Sequence, residues 1–365
     1  MMLRTTVQIT NIYHAKYFTL FLSIVITLSA CKDRSTETKS ESQKKEFKTY
    51  IKTGSVERLN THIDEIIPPG ELPEILAEGF GFTEGPLWLP EQDILLFSDI
   101  YANAIYQWSE QDSVKLYLKP SGYTDTSKEG WNEGSNGLLL DMEGRLILCQ
   151  HGDRRVARMD APLDKPEPRF VTLADNWRGN RLNSPDDAVY NSRGDLFFTD
   201  PPYGLKEGFG DPNIELDYAG VFKLSAEGVL TLLKTSTLQT MPNGIGLSPD
   251  ESRLYVGNSG ESDDIFWMEY GIKEDGTLDE GEIFYDAVKE AKNEGFFPDG
   301  LKVREDGIIF AAGPGGLWIW SPDRIHLGTI KTGLEGQYIA NCAFDEEGKY
   351  LYMTARSYLL RIKLR

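Results

Sequence analysis

From about residue 75 to its end, the chain alternates short runs of β-branched, aliphatic and aromatic residues with clusters of Gly, Asp, Asn and Pro. Segments with a helical period are scarce, so the pattern predicts strands and turns throughout. One unit recurs: a turn, three apolar residues, then a small or polar one. It reads Leu95-Leu96-Phe97-Ser98, Leu146-Ile147-Leu148-Cys149, Leu196-Phe197-Phe198-Thr199, Leu254-Tyr255-Val256-Gly257, Ile308-Ile309-Phe310-Ala311 and Leu351-Tyr352-Met353-Thr354. Five copies are followed by another strand-like run, such as Gly316-Leu317-Trp318-Ile319-Trp320. Six copies at 43- to 58-residue intervals match the blade period of a propeller. The predicted fold is all-β, a single six-bladed β-propeller over residues 70–365, with Leu72 to Phe80 placed to complete the last blade.

Nine to eleven residues before each marker stands a polar residue: Glu84, Asn136, Asp186, Asn243, Asp299 and Asn341. Each follows a small or turn-forming residue and precedes an apolar strand, and Gly85, Gly137, Gly244 and Gly300 come directly after four of them. If those strands are the innermost of each blade, the six side chains converge at one mouth of the central channel. Turn chemistry alone accounts for any one of these motifs. It accounts less well for six in phase, with Glu84, a poor turn residue, in one slot. Three carboxylates and three amides around an axis would repel one another if buried without compensation, and a divalent cation resolves that conflict. Oxygen-only ligands suit Ca²⁺ or Mg²⁺, and Ca²⁺ best tolerates mixed carboxylate, amide and water.

Charge and composition narrow the classes further. Thirty-eight basic against 57 acidic residues give a net charge of −19, with no basic stripe, which excludes nucleic acid as a natural partner. Three cysteines cannot form a disulfide framework or a four-thiolate zinc site, and the four histidines are scattered. Cys149 and Cys342 lie in apolar strands and are expected to be buried thiols. At the N-terminus, Arg4 and Lys16 precede the apolar run Phe18 to Leu28, which has the length of a signal-peptide core. Leu28-Ser29-Ala30-Cys31 follows and resembles a bacterial lipobox, making Cys31 the expected site of lipidation. The expected organisation is a lipoprotein signal peptide over 1–30, an acylated cysteine and flexible tether over 31–69, and the propeller from 70. The mature chain would sit in the bacterial cell envelope, outside the cytoplasm, touching the membrane only through its lipid.

Several of these motifs occur together and in order elsewhere. FTEGPLW from Phe82, LLFSDI, SNGLLLD, HGDRRVAR, RLNSPDD, FFTDPPYG, MPNGIGLSPD, PDGLKV and NCAF resemble the SMP-30/gluconolactonase/LRE family over about Phe82 to Leu364. The resemblance implies a six-bladed propeller with one axial divalent cation, hydrolysing lactones and, in some members, organophosphates. It implies Glu84, Asp186, Asn243 and Asp299 as metal ligands, Ca²⁺ as the expected ion, and Zn²⁺, Mg²⁺ or Mn²⁺ as alternatives. The family usually has Asn where this chain has Asp186, which keeps an oxygen donor and adds a charge. Asp299 is the expected general base, with a role as ligand alone standing beside it. Asn136, His151, Arg181, Asn183, Tyr203 and Asn341 are expected substrate contacts. The implied substrate is a small sugar lactone. Phosphotriester hydrolysis and a non-catalytic binding propeller with a structural ion are the alternatives.

Overall fold

A computed structural model of the chain describes residues 48–125, 132–236, 240–260 and 264–365, and every structural statement below concerns those residues. The signal segment, Cys31 and the first part of the expected tether lie outside them.

Turn-bounded apolar runs become four-stranded antiparallel sheets that follow chain order. Ser135–Leu140, Leu146–Gln150, Arg155–Met159 and Phe170–Ala174 form one. Ala188–Tyr190 through Leu230–Thr235 and Pro242–Leu247 through Glu282–Asp286 form the next two. Leu301–Val303 through His326–Lys331 form a fourth, which gains Ser55–Arg58 at its outer edge. The last sheet has seven strands and joins both ends of the described chain. Its long strand Glu74–Leu89 pairs first with Tyr350–Lys363 (Leu360 opposite Ile75) and then with Ile94–Asp99 (Leu87 opposite Leu96).

All six marker runs fall in the second strand of their group, with Ile308 standing just ahead of Ile309–Gly313. Leu196–Asp200 and Leu146–Gln150 are buried along their whole length, which explains runs of apolar residues without alternation. Their side chains fill the spaces between successive sheets: Ile147 and Cys149 meet Phe198 and Phe222, and Leu96 and Ile105 meet Leu138 and Leu148. Cys149 and Cys342 are buried free thiols. The first strands touch in sequence order. Glu74–Leu89 lies against Ser135–Leu140, then Ala188–Tyr190, Pro242–Leu247, Leu301–Val303 and Asn341–Phe344 follow, and the last returns to the first.

The folded unit begins at Lys48, earlier than the expected boundary at residue 70. Ile51–Lys52 pairs with Glu74–Leu89, and Ser55–Arg58 pairs with His326–Lys331. The 3₁₀ turn Thr61–Glu65, opened by Asn60 accepting from the His62 N–H, then drives Ile63, Ile66 and Ile67 into the core against Leu317, Leu327 and Ile330. Three isoleucines within five residues offset the ordering cost of this segment, which its polar flanks had concealed. The single α-helix among the described residues, Val288–Glu294, ends at Gly295 (φ +72°) and delivers Phe296 and Phe297 to the mouth of the ring.

Candidate active site

Five of the six polar residues picked out by the repeat stand at or just before the start of a first strand, Glu84 lies within the long strand Glu74–Leu89, and none is more than 6% exposed. The glycines after them explain how the strands come so close. A Cβ on Gly244 would lie 2.2 Å from the Asp299 carbonyl oxygen, and one on Gly85 (φ +49°) 2.1 Å from that of Asn136. Main chain therefore packs on main chain around the axis. The Gly137 N–H donates to the Asp186 carbonyl at 2.8 Å, and the Gly300 N–H to Ala340 at 2.8 Å.

Side-chain bonds link the ring as well. Asn136 Nδ2 donates to Asp186 Oδ2 at 2.9 Å, and the same oxygen lies 3.2 Å from His151 Nε2. Glu84 Oε2 accepts from the Gly85 N–H at 2.7 Å and from Asn341 Nδ2 at 3.2 Å. Asn243 Nδ2 donates to Ser259 Oγ at 3.1 Å. Beneath the ring, Lys302 Nζ donates to Asp187 Oδ2 and Asn341 Oδ1, both at 3.2 Å. Above it is a cavity of about 160 Å³ whose floor includes Glu84, Asn136, His151, Asp186, Asn243 and Asp299. Aromatic residues make the walls: Phe82 lies 6.1 Å from Tyr338 between ring centroids, and Phe296 stacks on Tyr338.

Burial, followed by the Asp186 charge, raises the Glu84 carboxyl above its ordinary range. Burial, followed by the charges of Glu84 and Asp186, raises Asp299. Asp186 is raised by burial against the lowering bond from His151. Asn136 Oδ1 and Asn243 Oδ1 are buried and accept no hydrogen bond, in an interior where such atoms are normally paired. Carboxylates that repel and amide oxygens that lack donors are a donor set fitted to a hard divalent cation. Among the described residues, no three His, Cys, Asp or Glu side chains already form a metal-holding cluster. The Glu84 and Asp186 oxygens are turned onto their neighbours instead.

The cavity brings together Glu84, Asn136, His151, Asp186, Tyr203, Asn243 and Asp299, and leaves three expected substrate contacts outside it. Asn341 is occupied with Glu84, Asp187 and Lys302 behind the floor. Asn183 uses its amide to fasten a loop, donating to the Asp200 and Tyr218 carbonyls at 3.2 and 2.8 Å. Arg181 is exposed: the short ladder of Asn176–Trp177 with Asn180–Arg181 carries it outward, where its N–H meets Glu215 Oε2 at 2.7 Å. Sequence reasoning missed the aromatic wall, although a signal was present. Phe82, Phe296, Phe297 and Tyr338 each stand two or three residues before a ring position.

Comparison with known proteins agrees with this architecture. The profile of the SMP-30/Gluconolactonase/LRE-like region matches residues 82–357. A gluconolactonase of Zymomonas mobilis is 32% identical over 348 residues, covering 94% of this chain and 96% of that protein. The structure of a gluconolactonase from Xanthomonas campestris superposes with a TM-score of 0.72 at 25% identity, covering 87% of this chain and 98% of the other. A calcium-binding regucalcin from Agrobacterium tumefaciens shares the fold at a TM-score of 0.59 and 15% identity, over 80% and 93% of the two chains.

Proposed function

The chain belongs to the SMP-30/gluconolactonase/LRE-like family, and on that premise we propose that it is a metal-dependent hydrolase opening sugar lactones at the mouth of a six-bladed β-propeller. The carrying observation is the ring itself, where three buried carboxylates with raised proton affinity surround unpartnered amide oxygens. The cyclic contact of first strands supports the six-bladed reading. Glu84, Asp186, Asn243 and Asp299 would hold the ion, Ca²⁺ by their chemistry. When bound, it would polarise the lactone carbonyl and stabilise the charge that develops on its oxygen.

The chain's own groups supply the rest. Asp299 takes a proton from the attacking water and returns it to the ring oxygen as the acyl–oxygen bond breaks, so lactone and water give one hydroxy acid. Asn136, His151 and Tyr203 orient the substrate's hydroxyls, and the aromatic wall covers its carbon face and excludes further water. We also infer that Cys31 carries a diacylglycerol anchor in the cell envelope, a modification that the mass of the N-terminal peptide would reveal.

The test is the initial rate of the purified full chain on a panel of aldonolactones, as prepared, after chelation and after readdition of Ca²⁺. Hydrolysis restored by the ion and lowered about 10²-fold or more by Asp299→Asn is the expected result. A folded, ion-loaded protein that leaves every lactone intact overturns the reading.

A further inference from the structure

A second, larger cavity of about 520 Å³ adjoins the first. Topology puts it on the same face. The first strands Ser135–Leu140 and Ala188–Tyr190 begin at the ring, so the links into them, and the links from the second strands of their sheets to the third, both lie at that end of the sheets. Asp125 and Arg181 belong to links of the former kind; Asp153, Arg154, Asn213 and Glu215 belong to the latter. Consecutive residues divide the two spaces: His151 and Tyr203 line the first, Gly152 and Gly204 the second. The partition has no slack, because a Cβ on Gly204 would lie 2.7 Å from Ser184 Cβ and 2.9 Å from His151 Cβ.

The lining of this second cavity is chemically unlike the aromatic wall of the first. Arg154 is only 4% exposed. Its Nε donates to the Leu182 and Asn183 carbonyls at 2.7 and 3.0 Å, and its Nη1 to that of Asn213 at 2.7 Å. Its Nη2 is buried and has no partner. Arg181 donates from Nη2 to the Asp153 carbonyl at 3.1 Å, beside the exposed Glu215 carboxylate. An anion here would meet Asp125, Asp153 and Glu215, and a cation would meet two guanidinium groups. An apolar group would leave the buried Arg154 Nη2 without a partner. A neutral ligand with several hydroxyls, each able to donate and accept, satisfies the mixed lining.

We propose that this cavity is a sugar subsite and that the substrate is an aldonolactone bearing a second sugar. The lactone ring occupies the small aromatic-walled cavity, and the attached sugar crosses the shared rim into the polar one. The assignment deepens the lactone-hydrolase reading and rests on it for the first ring alone.

The kinetic test compares glucono-1,5-lactone with cellobiono- and maltobiono-1,5-lactone on the full chain, its Arg181→Met variant and its Glu215→Gln variant. At least one disaccharide lactone should exceed the monosaccharide in kcat/KM about tenfold or more. In both variants that ratio should fall about tenfold through KM, with kcat held. Equal ratios in all three proteins overturn the subsite. A turnover-independent measurement is calorimetric titration with cellobiose and maltose. Binding that weakens in Arg181→Met upholds the subsite even if every lactone is inert, in which case only the hydrolase reading falls. Hydrolysis of glucono-1,5-lactone with neither disaccharide preference nor disaccharide binding removes the subsite and leaves the hydrolase.

Discussion

Stripping divalent cations and raising the pH from 5 to 8 is expected to destabilise this protein, against the usual behaviour of carboxylates paired with cations. Asp200 fixes the scale. It is fully buried and accepts from the Asn183 and Ser184 N–H groups at 2.8 and 2.9 Å, yet burial pushes its pKa up from 3.8 to about 7. A raised carboxylate contributes stability that is fully present below its unfolded pKa and lost as the pH rises through its folded one. The full shift of three units at about 1.36 kcal/mol each makes roughly 4 kcal/mol, of which the two units between pH 5 and 7, about 2.7 kcal/mol, fall inside the window. Glu84, Asp186 and Asp299 are raised as well and add in the same direction. His326, whose pKa burial lowers from 6.5, opposes them only below that value. Asp211 and Asp306, both lowered, exert their effect below about pH 4, outside the window. Urea unfolding of the chelated protein at half-unit pH steps reads the slope. Glu84→Gln should flatten it, and saturating Ca²⁺ should suppress the ring's share while leaving that of Asp200. A chelated protein whose stability is flat or rising from pH 6.5 to 8 would refute the account of the buried carboxylates.

Two further outcomes follow from packing. Ile63→Ala should lower unfolding free energy by about 2–4 kcal/mol, since Ile63 is fully buried against the core; a loss below about 0.5 kcal/mol would restore residues 48–69 to a loose tether. Gly244→Ala drives a methyl to 2.2 Å from the Asp299 carbonyl oxygen, where backbone cannot yield by rotation. It should destabilise by about 1–3 kcal/mol and weaken Ca²⁺ binding, both measurable by calorimetry; an unchanged affinity would separate the ring's spacing from ion binding.

The six second strands and the ring positions were legible because each is a local pattern, a turn followed by an apolar run, repeated in phase. Asn136 and Asn243 could be placed at the mouth without knowing any partner. Arg181 could not: what directs it is a two-residue ladder and a bond to Glu215, thirty-four residues on. Asn183 reads like a site residue in its motif, yet its amide is committed to carbonyls from a loop that periodicity does not describe. Ile63, Ile66 and Ile67 were hidden for a related reason. Their partners Leu317 and Ile330 lie 250 or more residues away, and the strand that brings them near, Ser55–Arg58, alternates weakly.

The joining of chain ends in shared sheets also has a kinetic side. Ile75 cannot meet Leu360, nor Ser55–Arg58 meet His326–Lys331, until some 270 to 285 further residues have been synthesised, and the Arg365 N–H donates to the Ile66 carbonyl at 3.0 Å. The interior groups are built from neighbours in sequence and can assemble as they emerge, whereas the seam between first and last strands waits for Tyr350–Lys363. Closure across such a separation is slow, and until it happens two strand edges stand open to other copies of the chain. The last dozen residues therefore act as a latch: a chain shortened before Tyr358 would carry most of the fold and still lack the strand that seals it.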